Sequence, residues 1–273
     1  MLITRRNALA GSLAGFAGAS LAGTAHAQEV IGTTARPLRV GVTSGVHAQV
    51  LERVAGVVAA KGLVLKITEF GDFIQPNAAL AAGDIDVNVY QHKPFLDNQM
   101  RDRGYKFAVV GRTVLTAMAV FSTKFKTLAD LPNGARIAIP NDPTNGGRAL
   151  LLLAQNGVFK LAPGADFRAT VADIVENPRH VRIVELEAAS IARALGDVDA
   201  ATVTGNYAVP AGLDPLHGSM AVEPGDSIYC CLVVVRAGDE TAPWAKTLAE
   251  GYADPGVKAW VIDTFKGAVV PGA

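Results

Sequence analysis

Ile137-Ala-Ile-Pro-Asn-Asp-Pro-Thr-Asn-Gly-Gly-Arg148, continued by Ala149-Leu-Leu-Leu-Leu153, predicts a buried strand, a turn and the start of a helix. A short apolar run that ends in Pro and Asn is typical of a buried strand. Thr144 or Asn145 is expected to cap the helix, because a short polar side chain accepts a hydrogen bond from the free N–H groups of the first turn. This strand, turn and helix form one unit of an α/β sheet.

Arg148 is the unusual residue of this stretch. We place it in the first helical turn, where a cation opposes the macrodipole and a capping box would have an acid. Gly146 and Gly147 would let a ligand approach the backbone. Free N–H groups, a positive helix end and a guanidinium together predict that an anion binds here. The alternative is an Arg148 that pairs with a neighbouring Asp or extends into solvent.

Strands and helices alternate along the rest of the chain, from residue 38 to 110 and again from 135 to 203. This alternation predicts two parallel-rich α/β sheets. The apolar run 115–121 is long enough to pass from one sheet to the other, and a long strand over 227–235 could carry the chain back. The predicted fold is therefore a two-lobe α/β clamshell joined by two crossover strands. The predicted boundaries are 35–118 with 232–273 for lobe 1, and 119–231 for lobe 2.

The N-terminus reads as an export signal. Arg5 and Arg6 precede an apolar, small-residue run at 8–22, which is too short and too rich in glycine for a spanning helix. Ala25-His-Ala27 is a small-x-small cleavage site, so residues 1–27 are predicted to be a signal peptide. The paired arginines are compatible with a twin-arginine route, but that motif is incomplete, and the export route stays open.

Composition excludes some classes of function. The chain has 25 basic and 25 acidic residues, so it has no basic footprint for nucleic acid. Its two cysteines are adjacent, at Cys230 and Cys231. We expect them on opposite faces of a strand, one in the core and the other open to modification. The absence of a Cys-x-x-Cys sequence argues against a redox function.

Two segments resemble the methionine-binding proteins of ABC importers, the NlpA lipoprotein family. They are Pro140-Asn-Asp-Pro-Thr-Asn-Gly-Gly-Arg148 with its Leu-rich continuation, and Gly83-Asp-Ile-Asp-Val-Asn-Val-Tyr-Gln-His-Lys-Pro-Phe-Leu-Asp97. The resemblance implies a type II periplasmic binding fold. Members are typically lipidated on a Cys after the signal; no Cys stands there, so a soluble periplasmic protein is expected. Weaker matches, in the family's order, are Phe70-Gly-Asp-Phe73, Val175-Glu-Asn-Pro178, Ile183-Val-Glu-Leu-Glu187 and Gly205-Asn-Tyr-Ala208.

Candidate ligand residues follow four predicted strands, because ligands of open α/β sheets bind beyond the carboxyl ends of strands. One lobe offers mostly aromatic rings and the other offers amides and a cation, which suits an amino acid with an apolar side chain. The resemblance implies that Phe73, Tyr90 and His92 line the side-chain pocket and that Arg148 pairs with the carboxylate. The candidates are Phe70, Phe73, Asn88, Tyr90, His92, Asn141, Asn145, Arg148, Thr204 and Asn206, together with Cys231 on the strand predicted to carry the chain back.

Several of these residues have a purely structural alternative. Phe70 and Phe73 would serve equally well in the core. Tyr90 and His92 could pack on the helix that follows them. Asn206 could merely cap the next helix.

The sequence departs from the family pattern at two positions. An Asn commonly stands where this chain has Thr204, and another, in a Tyr-x-Asn pattern, where it has Cys231. The resemblance implies that the second Asn bonds the backbone groups of the ligand, and a thiol replaces an amide poorly. An unmatched polar group costs on the order of 1–3 kcal/mol, roughly tenfold or more in affinity. We hypothesise that the ligand has shifted to a modified amino acid, a dipeptide or a thioether analogue.

The leading function is therefore that of the periplasmic binding protein of an ABC importer. Its two lobes would close by a hinge on L-methionine or a related small amino acid or dipeptide. The expected partners are the permease and ATPase subunits at the inner membrane, to which the ligand is delivered. The alternative is a periplasmic enzyme acting on a small carboxylate, although no Gly-x-Ser-x-Gly, His-Glu-x-x-His or phosphate-binding loop occurs. A third reading, a cytoplasmic effector-sensing protein, would need a DNA-binding helix pair. We expect no catalytic residue, cofactor or metal.

Overall fold

The computed structural model describes residues 30–224 and 228–272, and the predicted signal peptide, residues 1–27, lies outside the described residues. The strands, in chain order, are β1 (Leu38–Thr43), β2 (Leu65–Phe70), β3 (Val87–Asn88), β4 (Phe107–Arg112), β5 (Val114–Thr116), β6 (Met118–Phe121), β7 (Arg136–Pro140), β8 (Lys160–Leu161), β9 (Ile174–Glu176), β10 (Arg182–Leu186), β11 (Ala200–Thr204), β12 (Ala221–Val222), β13 (Leu232–Arg236) and β14 (Val269–Pro271).

The helices are α1 (Val46–Ala59), α2 (Gln75–Ala82), α3 (Lys93–Arg103), α4 (Pro143–Gln155), α5 (Ala188–Ile191), α6 (Gly205–Ala208), α7 (Pro243–Ala253) and α8 (Pro255–Phe265). Short 3-10 segments occupy Leu128–Asp130, Val171–Asp173 and Arg193–Gly196. The last of these segments follows α5 after a single residue, Ala192. Pro opens both α7 and α8, where its missing N–H costs no hydrogen bond.

Two five-stranded sheets form the framework. The first has the order β2-β1-β3-β13-β4, and the second has the order β10-β7-β11-β6-β12. Strand β13 is antiparallel to both its neighbours in the first sheet, as β6 is in the second. Each antiparallel strand is the one that the chain enters from the other sheet. We call the parts built on these sheets the first and second lobes; the predicted two-lobe α/β fold is confirmed.

Both sheets are covered on two faces. Helices α1, α7 and α8 pack on one face of the first sheet, and α2 and α3 pack on the other. In the second sheet α4 covers one face and α5 covers the opposite one. Strand β1 is buried along nearly its whole length, as is typical of a parallel strand between two helical layers.

The two connections between the lobes differ from each other. The first changes sheets at Ala117, between β5 and β6, within the predicted apolar run. The long strand predicted over 227–235 is wrong in its first half, because β13 begins only at Leu232. Before that point the N–H of Cys231 bonds the carbonyl of Val114, at 2.9 Å, which ties the returning chain to the outgoing connection. None of the helices within the described residues combines the length and hydropathy that a bilayer-spanning segment needs.

Candidate functional site

A small cavity lies between the lobes, beyond the carboxyl ends of β1, β3 and β11. The structure brings eight of the predicted residues to its wall and leaves three outside. It is lined by His47, Phe73, Tyr90, Gln91, His92, Phe95, Thr116, Asn145, Arg148, Thr204, Asn206, Tyr229 and Cys231.

The three predicted residues outside the wall are Phe70, Asn88 and Asn141. The ring of Phe70 packs with the apolar cluster under α2. The Asn88 amide is buried and donates to Oδ1 of Asn77, at 2.9 Å, so it belongs to a network inside the first lobe. Asn141 is exposed, and its N–H continues the pairing of the second sheet by bonding the carbonyl of Leu186. The end of a strand identifies the edge of the sheet where ligands bind, but it does not determine the direction of each side chain.

Asp142 is the N-cap of α4, and the prediction that Thr144 or Asn145 fills this role is wrong. The Asp142 carboxylate accepts from the Asn145 backbone N–H at 2.9 Å and from the Asn145 side-chain amide at 3.0 Å. Arg148 therefore lies in the second turn. The anion at the helix end is the protein's own carboxylate, so the N–H of Asn145 is already bonded and is not free for a ligand. Burial raises the pKa of Asp142, while the bonds from Asn145 act in the opposite direction.

The paired glycines of α4, which were expected to let a ligand approach the backbone, instead lie against other backbone segments. A Cβ on Gly146 would lie 2.9 Å from the carbonyl oxygen of Pro140. A Cβ on Gly147 would collide with the carbonyl of Phe167. Both glycines allow close packing of backbone against backbone inside the second lobe, rather than the approach of a ligand.

Arg148 pairs with Glu223, an acid that sequence reasoning missed. Nε of Arg148 donates to Oε1 of Glu223 at 2.7 Å, and Nη2 donates to Oε2 at 2.5 Å. Nη2 also donates to the carbonyl of Thr116, at 3.2 Å, and the guanidinium lies 4.1 Å from the ring centroid of Tyr229. Nη1 makes only a long bond of 3.4 Å to Oδ1 of Asn145. Because Arg148 lines the cavity, Nη1 is the nitrogen with donor capacity left for a ligand.

His92 is neutral and joins the lobes. It caps α3, where Nδ1 accepts from the N–H of Phe95 at 3.2 Å, so the proton is assigned to Nε2. Nε2 then donates across the cavity to Oδ1 of Asn145, at 3.0 Å. Burial, assisted by the positive charge of Arg148, lowers the pKa of His92 to about 3.

His47 and Cys231 form a second polar group on the wall. The Cys231 thiol donates to the carbonyl of Tyr90 at 3.2 Å, and its sulfur lies 3.8 Å from Nε2 of His47. Burial lowers the pKa of His47 to about 4 and raises that of the Cys231 thiol far above its usual value, so both are neutral. Within the described residues, Nδ1 of His47 and Oγ1 of Thr204 have no hydrogen-bond partner.

The expectation of one exposed cysteine is wrong, because Cys230 and Cys231 are both buried and unbridged. Burial raises the pKa of Cys230 as well. Neither thiol is in the partly exposed, electropositive surroundings that make a cysteine reactive.

Aromatic rings form the apolar part of the wall. The ring centroid of Phe73 lies 6.3 Å from that of Tyr90 and 6.4 Å from that of Phe95. The Tyr90 hydroxyl donates to the carbonyl of Phe73 at 2.8 Å, which fixes the loop after β2. From the second lobe Tyr207 packs on Phe73 with centroids 5.3 Å apart, so the ring of Phe73 is in contact with both lobes.

Asn206 fastens the lobes together. Its Oδ1 accepts from the N–H of His47 at 3.0 Å, and its Nδ2 donates to the carbonyl of Ser44 at 2.8 Å. With the contacts of His92 and Tyr207, these bonds show that the lobes are closed. Asn206 does line the cavity, but the oxygen and nitrogen of its amide both bond the other lobe.

Two α/β lobes, each with one antiparallel strand through which the chain enters from the other lobe, close on a small cavity. This arrangement defines a solute-binding protein of the type II periplasmic fold. The chain belongs to the NlpA lipoprotein family, whose sequence profile matches residues 38–273. It is 42% identical over 238 residues to the D-methionine-binding lipoprotein MetQ of Escherichia coli O157:H7, covering 86% of this chain and 88% of the relative.

Solved structures share the fold. A nutrient-binding protein from Burkholderia cenocepacia bound to methionine is 46% identical, with a TM-score of 0.84, over 86% of this chain and all of the other. A periplasmic substrate-binding protein of an ABC transporter from Coxiella burnetii is 39% identical, with a TM-score of 0.82 and the same coverage.

Proposed function

We propose that this chain is the periplasmic substrate-binding protein of an ABC importer, and that it binds methionine or a closely related amino acid between its lobes. The observation that carries the proposal is the cavity, which is lined by Arg148 of the second lobe and by the rings of Phe73, Tyr90 and Phe95 of the first. One relative, 42% identical to this chain, is named for D-methionine binding, and another, 46% identical, is bound to methionine.

In the proposed complex, the ligand carboxylate accepts from Nη1 of Arg148, as a charge-assisted hydrogen bond. The thioether side chain lies against Phe73, Tyr90 and Phe95, because sulfur makes favourable contacts with aromatic rings. The ammonium donates to the unpartnered acceptors of the wall, His47 Nδ1 and Thr204 Oγ1 within the described residues.

Thr204 and Cys231 keep the hypothesis of a shifted ligand open. Thr204 both donates and accepts, so it can replace part of an amide's function. The thiol of Cys231 already donates to the carbonyl of Tyr90, which leaves only a weak acceptor for a ligand. A dipeptide or a modified amino acid would have different backbone groups at this position.

Calorimetry of the mature protein, after unfolding and refolding to remove co-purified ligand, tests the proposal. It is titrated with L-methionine, D-methionine and a methionine-containing dipeptide. Micromolar or tighter binding of either methionine is the expected result. Tighter binding of the dipeptide would favour the shifted ligand, and no binding of any of them would refute the proposal. An Asn141→Ala variant is the matched control, because this exposed amide lies outside the cavity.

We further propose that the protein binds without turnover. The neutral state of both His47 and Cys231 supports this, because the thiolate, and not the thiol, is the nucleophile of such a pair. We expect the ligand to raise the thermal midpoint of the protein and to be recovered chemically unchanged after incubation with it. Release of a product from small carboxylates would favour the enzyme alternative instead.

The proposed partners are the permease and ATPase subunits at the inner membrane, and the proposed location is the periplasm. Hinge closure of the two lobes would create the surface that the permease recognises. Relatives carry the name lipoprotein, so the expectation of an unlipidated protein stays a prediction. Fractionation of cells that express the full chain, with and without a detergent wash of membranes, tests both points.

A further inference from the structure

The cavity wall has an unusual charge arrangement. Among the described residues that line it, Arg148 is the only Lys, Arg, Asp or Glu. A lone buried cation would strongly favour an anionic ligand, because uncompensated charge is costly in a low-dielectric site. The compensating charge comes from Glu223, which lies behind Arg148 and outside the cavity lining.

Glu223 is buried together with the guanidinium with which it pairs. The side chains of Glu223 and Arg148 are 7% and 4% exposed. Oε2 of Glu223 accepts the N–H of Met118 at 2.9 Å, where the outgoing crossover enters the second sheet. The carbonyl of Thr116, one step before that crossover, accepts from Nη2 of Arg148. Glu223 and Thr116 thus occupy the donors of Nε and Nη2, and Nη1 keeps donor capacity for a ligand.

Building on the proposed function, we propose that Glu223 is a positioning and charge-compensating residue that makes the cavity select zwitterionic amino acids over plain carboxylates with the same side chain. The Arg148–Glu223 pair carries no net charge, and the other buried acid beside the wall, Asp142, is already compensated by the helix end and by two N–H donors of Asn145. A ligand with no net charge therefore enters without leaving an unbalanced charge in the closed cleft. A monoanion or a monocation would each add one unbalanced charge to the cleft. Specificity of this kind depends on the penalty that the site imposes on the wrong ligand.

A purely structural role for Glu223 is the alternative. If the carboxylate only supports the fold or the angle of the guanidinium, its loss would weaken all carboxylate ligands alike. If it compensates charge, its loss would weaken the zwitterion most, because the ammonium would then face an unbalanced cation. The ratio of two affinities separates these roles, whereas a single affinity does not.

The first experiment uses the unaltered protein. Ligand-free mature protein is titrated with L-methionine, with 4-(methylthio)butanoate, which lacks the ammonium, and with 3-(methylthio)propylamine, which lacks the carboxylate. We expect both charged analogues to bind at least a hundredfold more weakly than methionine. A butanoate analogue that binds within tenfold of methionine would overturn the inference without any variant having to fold. Absence of methionine binding would instead refute the proposed function, and the inference would fall with it.

The second experiment compares Glu223→Gln with Glu223→Asp. The Gln variant removes the charge and keeps the size, so we expect the preference for methionine over 4-(methylthio)butanoate to fall by tenfold or more. The Asp variant keeps the charge and loses one methylene, so both affinities should fall while their ratio stays within threefold of wild type. Glu185→Gln, an exposed acid on β10 of the same lobe, is the matched control and should change nothing. Equal losses for both ligands in Glu223→Gln would overturn the inference.

Discussion

Asn206 of the second lobe caps a helix of the first lobe, because its Oδ1 accepts the N–H of His47 at 3.0 Å. Helix α1 has Gly45 at its N-cap position and no capping side chain of its own. The amide nitrogen of Asn206 completes the arrangement by donating to the carbonyl of Ser44. Since helix caps from Asn stabilise by about 0.5–2 kcal/mol, the closed form gains a term that an open form would lack.

Asn206→Ala is therefore expected to weaken ligand binding through closure rather than through the fold. A loss of about 1–2 kcal/mol in the closed state lowers the affinity by roughly fivefold to thirtyfold. The thermal midpoint of the ligand-free protein should stay near that of wild type, because the open form does not use the cap. Calorimetry and thermal unfolding measure the two effects. An unchanged affinity, or a fall in the ligand-free midpoint as large as the fall in affinity, would contradict this account.

Gly45→Ala is expected to prevent full closure. Gly45 has a φ of 107°, and a Cβ there would collide with the backbone carbonyl of Asn206. We expect ligand binding to be lost, and small-angle scattering to show no compaction on addition of methionine. Gly56→Ala is the matched control, because Gly56 lies within α1 with open space around it. That substitution should leave binding intact and stabilise the helix by about 0.5–1 kcal/mol. Tight binding by the Gly45 variant would show that closure does not need this contact.

The fold was accessible from the sequence because its signals are local. Strand–helix alternation, together with glycines that end helices, such as Gly83 and Gly104 at positive φ, indicates a parallel-rich sheet whatever the rest of the chain does. The cap at Asp142 also had a local signal that was missed. An Asp directly before Pro is the usual start of a helix with Pro at its first position.

The candidate site was only partly accessible, for two physical reasons. Strand ends are set by local pattern, but the direction of a side chain depends on register and packing, which is why Asn88 and Asn141 lie away from the cavity. Glu223 is 75 residues from Arg148 along the chain, and nothing in its neighbourhood distinguishes it from a surface acid. A pairing over this distance in sequence forms only when the second lobe is folded.

Arg148→Ala is expected to destabilise the protein as well as to abolish binding of carboxylate ligands. It leaves the Glu223 carboxylate buried without its partner, and breaking a buried pair in this way costs about 3–5 kcal/mol. Urea unfolding of the ligand-free protein measures the cost. The double variant Arg148→Ala, Glu223→Gln should recover part of the stability but none of the binding.

Arg168→Ala is the matched control for that experiment, because Arg168 pairs with Asp166 in an exposed part of the same lobe. Its urea midpoint should stay close to that of wild type, since exposed ion pairs contribute little. A double variant as unstable as Arg148→Ala alone would show that an unpaired carboxylate is not the source of the loss.

The buried histidines make stability depend on pH in a defined direction. Burial lowers the pKa of His92 to about 3 and that of His47 to about 4, whereas both return to about 6.5 on unfolding. Between these values the unfolded chain binds protons that the folded protein does not, so the free energy of unfolding falls as pH decreases from about 6.5 to about 4. Each histidine contributes a slope of about 1.4 kcal/mol per pH unit. The raised pKa of Asp142 acts with the opposite sign, because the folded protein then retains a proton that the unfolded chain releases.

His92→Asn isolates one of these terms, because Asn still caps α3 but does not titrate. Urea unfolding at half-unit steps from pH 4 to pH 7 should give a pH slope about 1.4 kcal/mol per unit shallower than that of wild type. The contribution of Asp142 is common to both proteins and cancels in the difference. The two curves should converge toward low pH, where wild type has lost the stability that its neutral histidine supplies. Parallel curves would mean that His92 takes up its proton in the folded protein as readily as in the unfolded chain, and the hydrogen bond from its Nε2 to Asn145 would then need another explanation.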